Sequence, residues 1–229
     1  AYTLLAKLYL NAQVYTGTPM WAEASAACDK VIAFGYSLEA DPKMPFLKNN
    51  GGSPENIYSI AFDEDNFKGF NLHMRTLHYL SQQTFDMGIA PWNGFAIMED
   101  FANSFEANDK RRYAILEGQQ YTSTGVAIND DQAGGVPLVF TANIPALHMS
   151  ANNYTLEQIR MSGTRMAKWE IYAGARADLS NDFAIFRFAD VLLMKAEAQV
   201  RLSGAGAGDL LVNQIKSRAG IATTGGYTL

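Results

Sequence analysis

The sequence predicts a mainly α protein in which helical pairs form a scaffold around a large, irregular insertion. Apolar residues recur at helical spacing at the two ends of the chain, over residues 1–38 and 183–221. Between them, residues 39–182 are rich in Gly, Asn, Thr and aromatic residues and contain only short apolar runs. We therefore expect a single domain over residues 1–229. Its helical pairs should have about the length of tetratricopeptide (TPR) units, and its loop-rich insertion should contain short strands.

The first helical pair should begin at the start of the chain. One helical face carries Ala1, Leu5, Leu8, Ala12 and Tyr15. We expect Thr18 to cap the second helix and Pro19 to occupy its first position, where a missing N–H is tolerated. Gly35 should terminate that helix.

The insertion contains few regular signals. Residues 57–62 alternate well enough to predict a strand, and residues 136–140 predict another. Residues 71–83 can be read as a helix or as an irregular segment, whereas residues 95–105 favour a helix. Long loops inside a compact domain are usually functional, so we expect the binding function in this insertion.

The last helical pair has the clearest periodicity. Its first helix should bury a stripe formed by Phe186, Ala189, Leu193, Ala196 and Val200, widened by Leu192. Two pairs of opposite charge are spaced to meet on the helix surface, Arg187 with Asp190 and Glu197 with Arg201. We expect Leu193 in particular to be buried.

The second helix of this pair follows a glycine-rich loop, residues 203–208. Asp209 can cap it, and its apolar face carries Leu211, Ile215 and Ala219. Gly220 should end it in a left-handed conformation. The alanines of the first helix should let the second approach closely.

Two ordered motifs in this last pair resemble a known family. F-R-F-A-D-V-L-L-M-K-A-E-A is followed, after the loop, by V-N-Q-I-K-S-R-A-G. Both motifs resemble a helical repeat of the SusD/RagB glycan-binding proteins of the Bacteroidetes outer membrane. The first pair (L-L-A-K-L-Y-L-N-A-Q-V-Y-T-G-x-x-x-W-x-E-A) and the segment W-N-G-F, E-D-F, D-K-R-R are also similar to that family.

The resemblance implies a non-catalytic, lipid-anchored protein on the outer-membrane surface. Such a protein binds oligosaccharides or polysaccharides and delivers them to a TonB-dependent, SusC-like transporter. It also implies that the chain is a fragment without the N-terminal anchor and the C-terminal region of the family. An alternative is a helical-repeat module for protein–protein interaction, and a more distant one is a hydrolase.

Composition and motifs favour neither nucleic-acid binding nor catalysis. The net charge is −5 with 18 basic residues spread thinly, and no run approaches the ~18 apolar residues of a membrane span. His73 and His78 are five residues apart and outside any H-E-x-x-H motif, so we predict no metal and no other cofactor. Glu99 and Asp100 are adjacent, which places them poorly as the facing carboxylates of a glycosidase.

The candidate site residues come from the aromatic segment between Phe67 and Phe95. Sugar rings present C–H faces to flat aromatic groups and hydroxyls to amides, carboxylates and guanidinium groups. Trp92 lies in the turn sequence Ala-Pro-Trp-Asn-Gly, where a large side chain tends to be exposed. The predicted ligand-binding residues are Trp92, Asn93, Tyr79, Phe95 and Arg75. Trp169 and Tyr172 either are further exposed candidates or pack the insertion onto the last helical pair.

Overall fold

The computed structural model describes residues 1–229, and the chain divides into two compact units. Unit 1 contains Ala1–Pro45, Asn50–Ile60 and Ala184–Leu229. Unit 2 contains Phe46–Asn49 and Ala61–Phe183. Helices predominate and the strands are short, in agreement with the predicted fold class. The TPR-like character of the helical pairs and the single-domain organisation remain predictions.

The long helices lie near the two ends of the chain, and the helices in its central part are short. The α-helices are α1 (Tyr2–Leu10), α2 (Ala12–Thr16), α3 (Trp21–Ile32), α4 (Leu72–Thr76), α5 (Ser81–Phe85), α6 (Glu99–Asn103), α7 (Leu156–Met161), α8 (Phe188–Ser203) and α9 (Asp209–Ala219). The strands are β1 (Asn56–Ile60), β2 (Ile115–Leu116), β3 (Gly118–Gln119), β4 (Asn129–Asp130), β5 (Val136–Pro137), β6 (Val139–Phe140), β7 (Arg165–Met166) and β8 (Phe183–Arg187). No helix combines the length and the apolar character that crossing a membrane requires.

Unit 1 is a helical layer with a core of small and branched residues. Helices α1, α3, α8 and α9 contribute the buried side chains Ala6, Leu10, Ala24, Ala27, Cys28, Val31, Val191, Leu192, Ala198 and Ile215. The expected close approach in the last pair is present at Gly208. A Cβ atom at this position would lie 2.7 Å from the carbonyl oxygen of Ala196. Strand β1 pairs with β8. Helix α8 begins at Phe188, directly after β8 ends at Arg187.

The predicted burial of Leu193 is wrong. Leu193 is 42% exposed, whereas its neighbour Leu192 is 3% exposed. The predicted stripe begins at Phe186, but Phe186 belongs to strand β8 and not to the helix. Leu193 shares its side of α8 with Asp190 and Glu197, three and four residues away, along a shallow groove.

The helix ends differ in part from those predicted. Helix α3 begins at Trp21, while the backbone N–H of Thr18 donates to the hydroxyl of Thr16 in a preceding turn. Asp209 is the first residue of α9, and its carboxylate accepts backbone N–H groups of Gly226 and Tyr227. Neither predicted cap forms. Gly220 does end α9 in the left-handed conformation, with φ 76°.

One of the two predicted ion pairs of α8 forms. Arg201 NH2 lies 2.7 Å from Glu197 Oε1 on the exposed surface. Asp190 instead accepts the backbone N–H of Arg187 at 3.3 Å. The Arg187 guanidinium pairs with a residue far away along the chain, for which the sequence contained no local signal.

That partner is Glu55, whose side chain is completely buried. Arg187 NH1 lies 2.7 Å from Glu55 Oε1, and Arg218 NH1 pairs with Oε2. The backbone N–H of Glu39 adds a bond to Oε2 at 3.1 Å, and the N–H of Phe188 donates to the Glu55 carbonyl at 2.8 Å. The two arginines belong to the two sequence motifs of the last helical pair. A single buried carboxylate, on the residue immediately before β1, thus joins both motifs.

Unit 2 is built from loops and short elements around two apolar clusters. One contains Phe70, Met74, Leu77, Met87 and Leu179, and the other contains Ile128, Leu138, Phe140 and Met161. Three antiparallel pairs, β2–β7, β3–β6 and β4–β5, connect distant segments. These elements position the loop that carries the candidate site.

Several predicted elements of the insertion are shorter than expected. Residues 71–83 contain α4 and the start of α5, and residues 95–105 contain only α6. The strand predicted at residues 57–62 is β1, which ends at Ile60. The strand predicted at residues 136–140 is divided, because β5 pairs with β4 and β6 pairs with β3, with Leu138 between them.

Candidate functional site

The candidate site is centred on the loop from Pro91 to Phe95. Three backbone N–H groups of the loop donate to carbonyl groups at α4 and just after it: Trp92 to Met74 (2.7 Å), Asn93 to Leu77 (2.9 Å) and Phe95 to Arg75 (2.7 Å). Gly94 permits this close approach, because a Cβ atom there would lie 3.1 Å from the carbonyl oxygen of Arg75. The loop is therefore held as a rigid support for its side chains.

Trp92 is exposed, as its turn sequence predicted. Its relative exposure is 45%. The guanidinium carbon of Arg75 lies 5.5 Å from the centre of the indole, within the range of a cation–π contact. Arg75 is itself oriented by Asn71, whose Oδ1 accepts from Nε at 3.0 Å. An exposed indole and an exposed cation thus lie side by side.

Asn93 has a structural role in the loop. It adopts a left-handed backbone conformation, with φ 54°. Its Oδ1 accepts from Arg165 Nε at 2.9 Å, and its Nδ2 donates to the Arg160 carbonyl at 3.4 Å. The amide therefore connects the Trp92 loop to the end of α7 and to β7.

The other predicted aromatic residues surround this loop. Phe95 is 60% exposed and Tyr79 is 40% exposed. The guanidinium carbon of Arg160 lies 5.0 Å from the centre of the Tyr79 ring. A cavity of about 270 Å³ lies beside the loop, with Asn93, Phe95 and Arg165 in its lining. Tyr79 connects to the loop through Arg160, whose carbonyl binds Asn93.

Beneath the site lies a buried polar network that the sequence did not predict. The carboxylate of Asp130 is fully buried and accepts from Arg160 Nε at 2.5 Å and NH2 at 3.1 Å. His78 Nε2 lies 3.7 Å from Asp130 Oδ2, and His78 Nδ1 accepts the N–H of Leu80 at 3.1 Å. Residues separated by 30 positions or more meet here, so no short motif could reveal the network.

The burial of His78 predicts a pH dependence. Burial, followed by the positive charge of Arg165, lowers the pKa of His78 to about 4, although Asp130 opposes the shift. The unfolded chain, with a histidine pKa near 6.5, therefore binds the extra proton first as the pH falls. We expect the free energy of unfolding to decrease as the pH drops from about 6.5 towards 4.

The His78 imidazole should itself titrate near pH 4, which NMR of the histidine rings can measure. Urea denaturation of the protein and of His78→Gln at several pH values would test the linkage. The variant should lose the share of this pH dependence that comes from His78, whereas His73, whose pKa is also lowered by burial, keeps its own share. A His78 titration midpoint near pH 6.5 would contradict the assignment.

Trp169 and Tyr172, predicted either as exposed aromatic residues or as packing residues of the insertion, pack against the first apolar cluster of unit 2. Trp169 is half-buried and stacks on Phe183 with a centroid distance of 5.7 Å in the first apolar cluster of unit 2. The Tyr172 hydroxyl donates to Glu64 Oε2 at 2.8 Å, and Lys48 Nζ lies 3.6 Å from the centre of its ring. Both side chains are used in internal packing and bonding.

Acidic residues outside the loop are engaged locally. Glu99 Oε2 accepts from Asn143 Nδ2 at 3.3 Å. Asp63 Oδ1 accepts the backbone N–H groups of Asp65 and Asn66, which lowers the pKa of Asp63. Within residues 1–229, no group of three or more His, Cys, Asp or Glu side chains is arranged to hold a metal ion.

Comparison with known sequences shows a family relationship. The sequence model of the SusD family matches residues 46–226, which is more than half of the chain. A search among curated protein sequences found no match.

Solved structures of similar fold include several glycan-binding proteins. A SusD superfamily protein from Parabacteroides distasonis ATCC 8503 is 23% identical, with a TM-score of 0.65 over 99% of this chain and 45% of its own. Surface glycan-binding protein A from Bacteroides thetaiotaomicron is 20% identical, with a TM-score of 0.65 over 97% of this chain and 47% of its own.

A structure of surface glycan-binding protein A from Bacteroides thetaiotaomicron in complex with laminarihexaose is also similar. It is 18% identical, with a TM-score of 0.64 over 97% of this chain and 47% of its own. These likenesses show the fold. The chain spans less than half the length of the solved structures that it matches.

Proposed function

The chain belongs to the SusD family, and from this premise we propose that it is a non-catalytic protein that binds oligosaccharides or polysaccharides at the Trp92 loop. The observation that carries the proposal is the exposed indole of Trp92 on a loop fixed by backbone hydrogen bonds. A site of this kind requires little reorganisation when a ligand binds, because hydrogen bonds already hold the loop in place.

The chemistry of the loop suits a sugar. The exposed faces of Trp92 and Phe95 can pack against the C–H face of a pyranose ring. Arg75 has guanidinium N–H donors that can bond to ring hydroxyls. Tyr79 adds a third exposed aromatic ring, which carries a hydroxyl group. Asn93 supports the arrangement by holding the loop to Arg165 and Arg160.

The biological setting is part of the same proposal. Membership of the family and the similar fold of surface glycan-binding proteins favour a lipid-anchored protein on the outer-membrane surface. There it would deliver its glycan to a TonB-dependent, SusC-like transporter. The helical pairs over residues 1–38 and 183–221 would be the scaffold, and residues 39–182 the binding insertion.

A second function is favoured by one feature of unit 1. A groove of about 280 Å³ runs along α1 and α8, lined by Lys7, Leu10, Phe186, Leu193 and Glu197 among others. Its mixed apolar and charged lining is typical of a surface that binds a peptide segment. If glycan binding fails, a helical-repeat interaction module is the function to test next.

Titration against a panel of soluble oligosaccharides tests the proposed function. Laminarihexaose is one member of the panel, together with neutral and acidic oligomers of the same length. We expect saturable binding of at least one class, with no new reducing ends after prolonged incubation. Release of reducing sugars would favour a hydrolase, and absence of binding across the panel would reject the glycan-binding proposal.

Replacing Trp92 with Ala should weaken binding of the best ligand by about 1–3 kcal/mol, roughly 5- to 150-fold. The scale is that of aromatic stacking with a flat ligand, measured for nucleic-acid bases. Trp92→Phe should retain part of the affinity because it keeps an aromatic face. Calorimetric titration measures the affinities, and thermal melts check the fold.

The control for this experiment is Tyr15→Ala, which removes an aromatic side chain that is 69% exposed in unit 1. Its affinity should equal that of the wild type. Equal affinities for wild type and Trp92→Ala would remove Trp92 from the site. A large drop in melting temperature for Trp92→Ala would show that the indole is structural.

A further inference from the structure

Two arginines next to the Trp92–Asn93 turn have no carboxylate partner. Arg75 is exposed and forms a side-chain hydrogen bond only to the neutral amide of Asn71, at 3.0 Å. No salt bridge involves it in residues 1–229. Its remaining N–H donors lie close to the indole on which we place the sugar.

Arg165 is the more unusual of the two, because it is 3% exposed. All of its hydrogen-bond partners are neutral oxygens: Asn93 Oδ1 and the carbonyl groups of Ser162, Gly163 and Arg160. Burial lowers the pKa of Arg165 to about 10, so the guanidinium remains charged at pH 7. Buried charges are usually paired, and this one lacks a counterion within the protein.

Nearby acidic groups do not neutralise these two cations. Asp130 is already committed to Arg160, with two hydrogen bonds. Glu99 is half-buried and bonds to Asn143. The buried network of Asp130, Arg160 and Arg165, with His78 neutral, therefore carries a net positive charge, although the whole chain carries −5. The positive charge is local to the site.

A ligand in the cavity beside the loop would lie next to this positive charge, because Arg165 lines the cavity. Its volume of about 270 Å³ is close to the lower end of small-molecule sites, which are about 300–1,000 Å³. Arg165 and Asn93 supply polar lining, and Phe95, Ile144, Leu147 and Ile159 supply apolar lining. A sugar ring in this cavity would present one edge to a cation and one face to apolar side chains.

We propose that the glycan bound at this loop is acidic, with a sugar carboxylate in the cavity beside Arg165 and a neighbouring ring against Trp92 and Arg75. This inference rests on the proposed glycan-binding function. A carboxylate supplies the counterion that Arg165 lacks, and charge-assisted hydrogen bonds are about twice as strong as neutral ones. A neutral sugar would leave the buried charge uncompensated.

Matched ligands test the proposal without any mutation. Hexagalacturonate and its fully methyl-esterified form have the same rings and differ in charge. We expect hexagalacturonate to bind at least about tenfold more tightly at low salt, corresponding to about 1.4 kcal/mol. The ratio should shrink as the ionic strength rises, because exposed charges are screened. Laminarihexaose serves as the neutral ligand of equal length.

A variant of the exposed arginine keeps the proposal testable if Arg165 variants fail to fold. Arg75→Gln should weaken binding of hexagalacturonate more than binding of the ester, so that the acid-to-ester affinity ratio falls several-fold. Arg201→Gln removes one positive charge from unit 1 and is the matched control for net charge. It should leave the ratio unchanged. Arg165→Lys, which keeps the charge, should retain more of the ratio than Arg165→Gln.

The outcomes separate this inference from the proposed function. A preference for the acid that Arg75→Gln reduces and Arg201→Gln does not would support the inference. Equal or tighter binding of the ester or of laminarihexaose would overturn it and leave glycan binding in place. An acid preference that neither Arg75→Gln nor an Arg165 variant changes would place the carboxylate elsewhere and also overturn it. Failure of every oligosaccharide to bind would reject the proposed function itself.

Discussion

Replacing Glu55 with Gln should lower the free energy of unfolding by about 3–5 kcal/mol, the range measured when one partner of a buried ion pair is removed. The Glu55 carboxylate is fully buried between Arg187 and Arg218, which are themselves largely buried. The amide that replaces it keeps the shape but not the charge. The guanidinium groups of Arg187 and Arg218 would then lose the charge of Glu55 in a low-dielectric environment.

The control for Glu55 lies in the same unit. Glu197→Gln breaks an ion pair with Arg201 at a similar distance, 2.7 Å, but on the exposed surface of α8. Such pairs contribute about 0.3–0.5 kcal/mol. Urea denaturation of both variants gives the two free energies. Equal, small losses would show that Glu55 does not hold β1, α8 and α9 together as the structure indicates.

The ion pairs of Glu55 also show why the two motifs could be recognised in the sequence while the partner of their arginines could not be predicted from it. In the sequence, Arg187 is spaced to meet Asp190 on a helix surface, and no local signal predicts a partner for Arg218. Their common partner is 132 and 163 residues away along the chain. Helical periodicity reports only on neighbours three and four residues apart, so it predicted the surface pair Glu197–Arg201 and missed the buried one.

The terminal helices were predictable because their signals are local. Apolar spacing located α1, α3, α8 and α9, and a glycine in the left-handed conformation ends α9 at Gly220. Helix starts were less predictable. Thr18 bonds within a turn and Asp209 binds the segment after α9, so both potential caps have other partners. A side chain that can cap a helix can equally stabilise a loop.

The structure of the insertion was harder to predict, because its contacts join segments that are far apart in the sequence. Its strands are mostly two residues long, and they pair segments such as β2 and β7 that lie about 50 residues apart. Turn chemistry did identify the exposed Trp92, because Pro fixes the backbone angle φ and Gly permits unusual backbone angles, and both are local properties. The role of Asn93 as a partner of Arg165, and the network around Asp130, depend on tertiary contacts that no short pattern encodes.

Two adjacent leucines of α8 provide the other large expected effect. Leu192→Ala should lower the free energy of unfolding by about 2–5 kcal/mol, as expected for truncating a buried leucine and leaving a cavity. Leu192 is 3% exposed and packs in the core of unit 1. Leu193→Ala should cost less than about 1 kcal/mol, because Leu193 is 42% exposed and much of its side chain already contacts solvent.

The pair isolates burial from every other variable. Both substitutions remove the same atoms, occupy the interior of the same helix and change helix propensity equally, so the difference between them reports only the environment. Chemical denaturation of both variants, with circular dichroism to confirm native helix content, gives that difference. A larger loss for Leu193→Ala than for Leu192→Ala would show that Leu193 is the more buried of the two. That result would contradict the orientation of α8 in the structure.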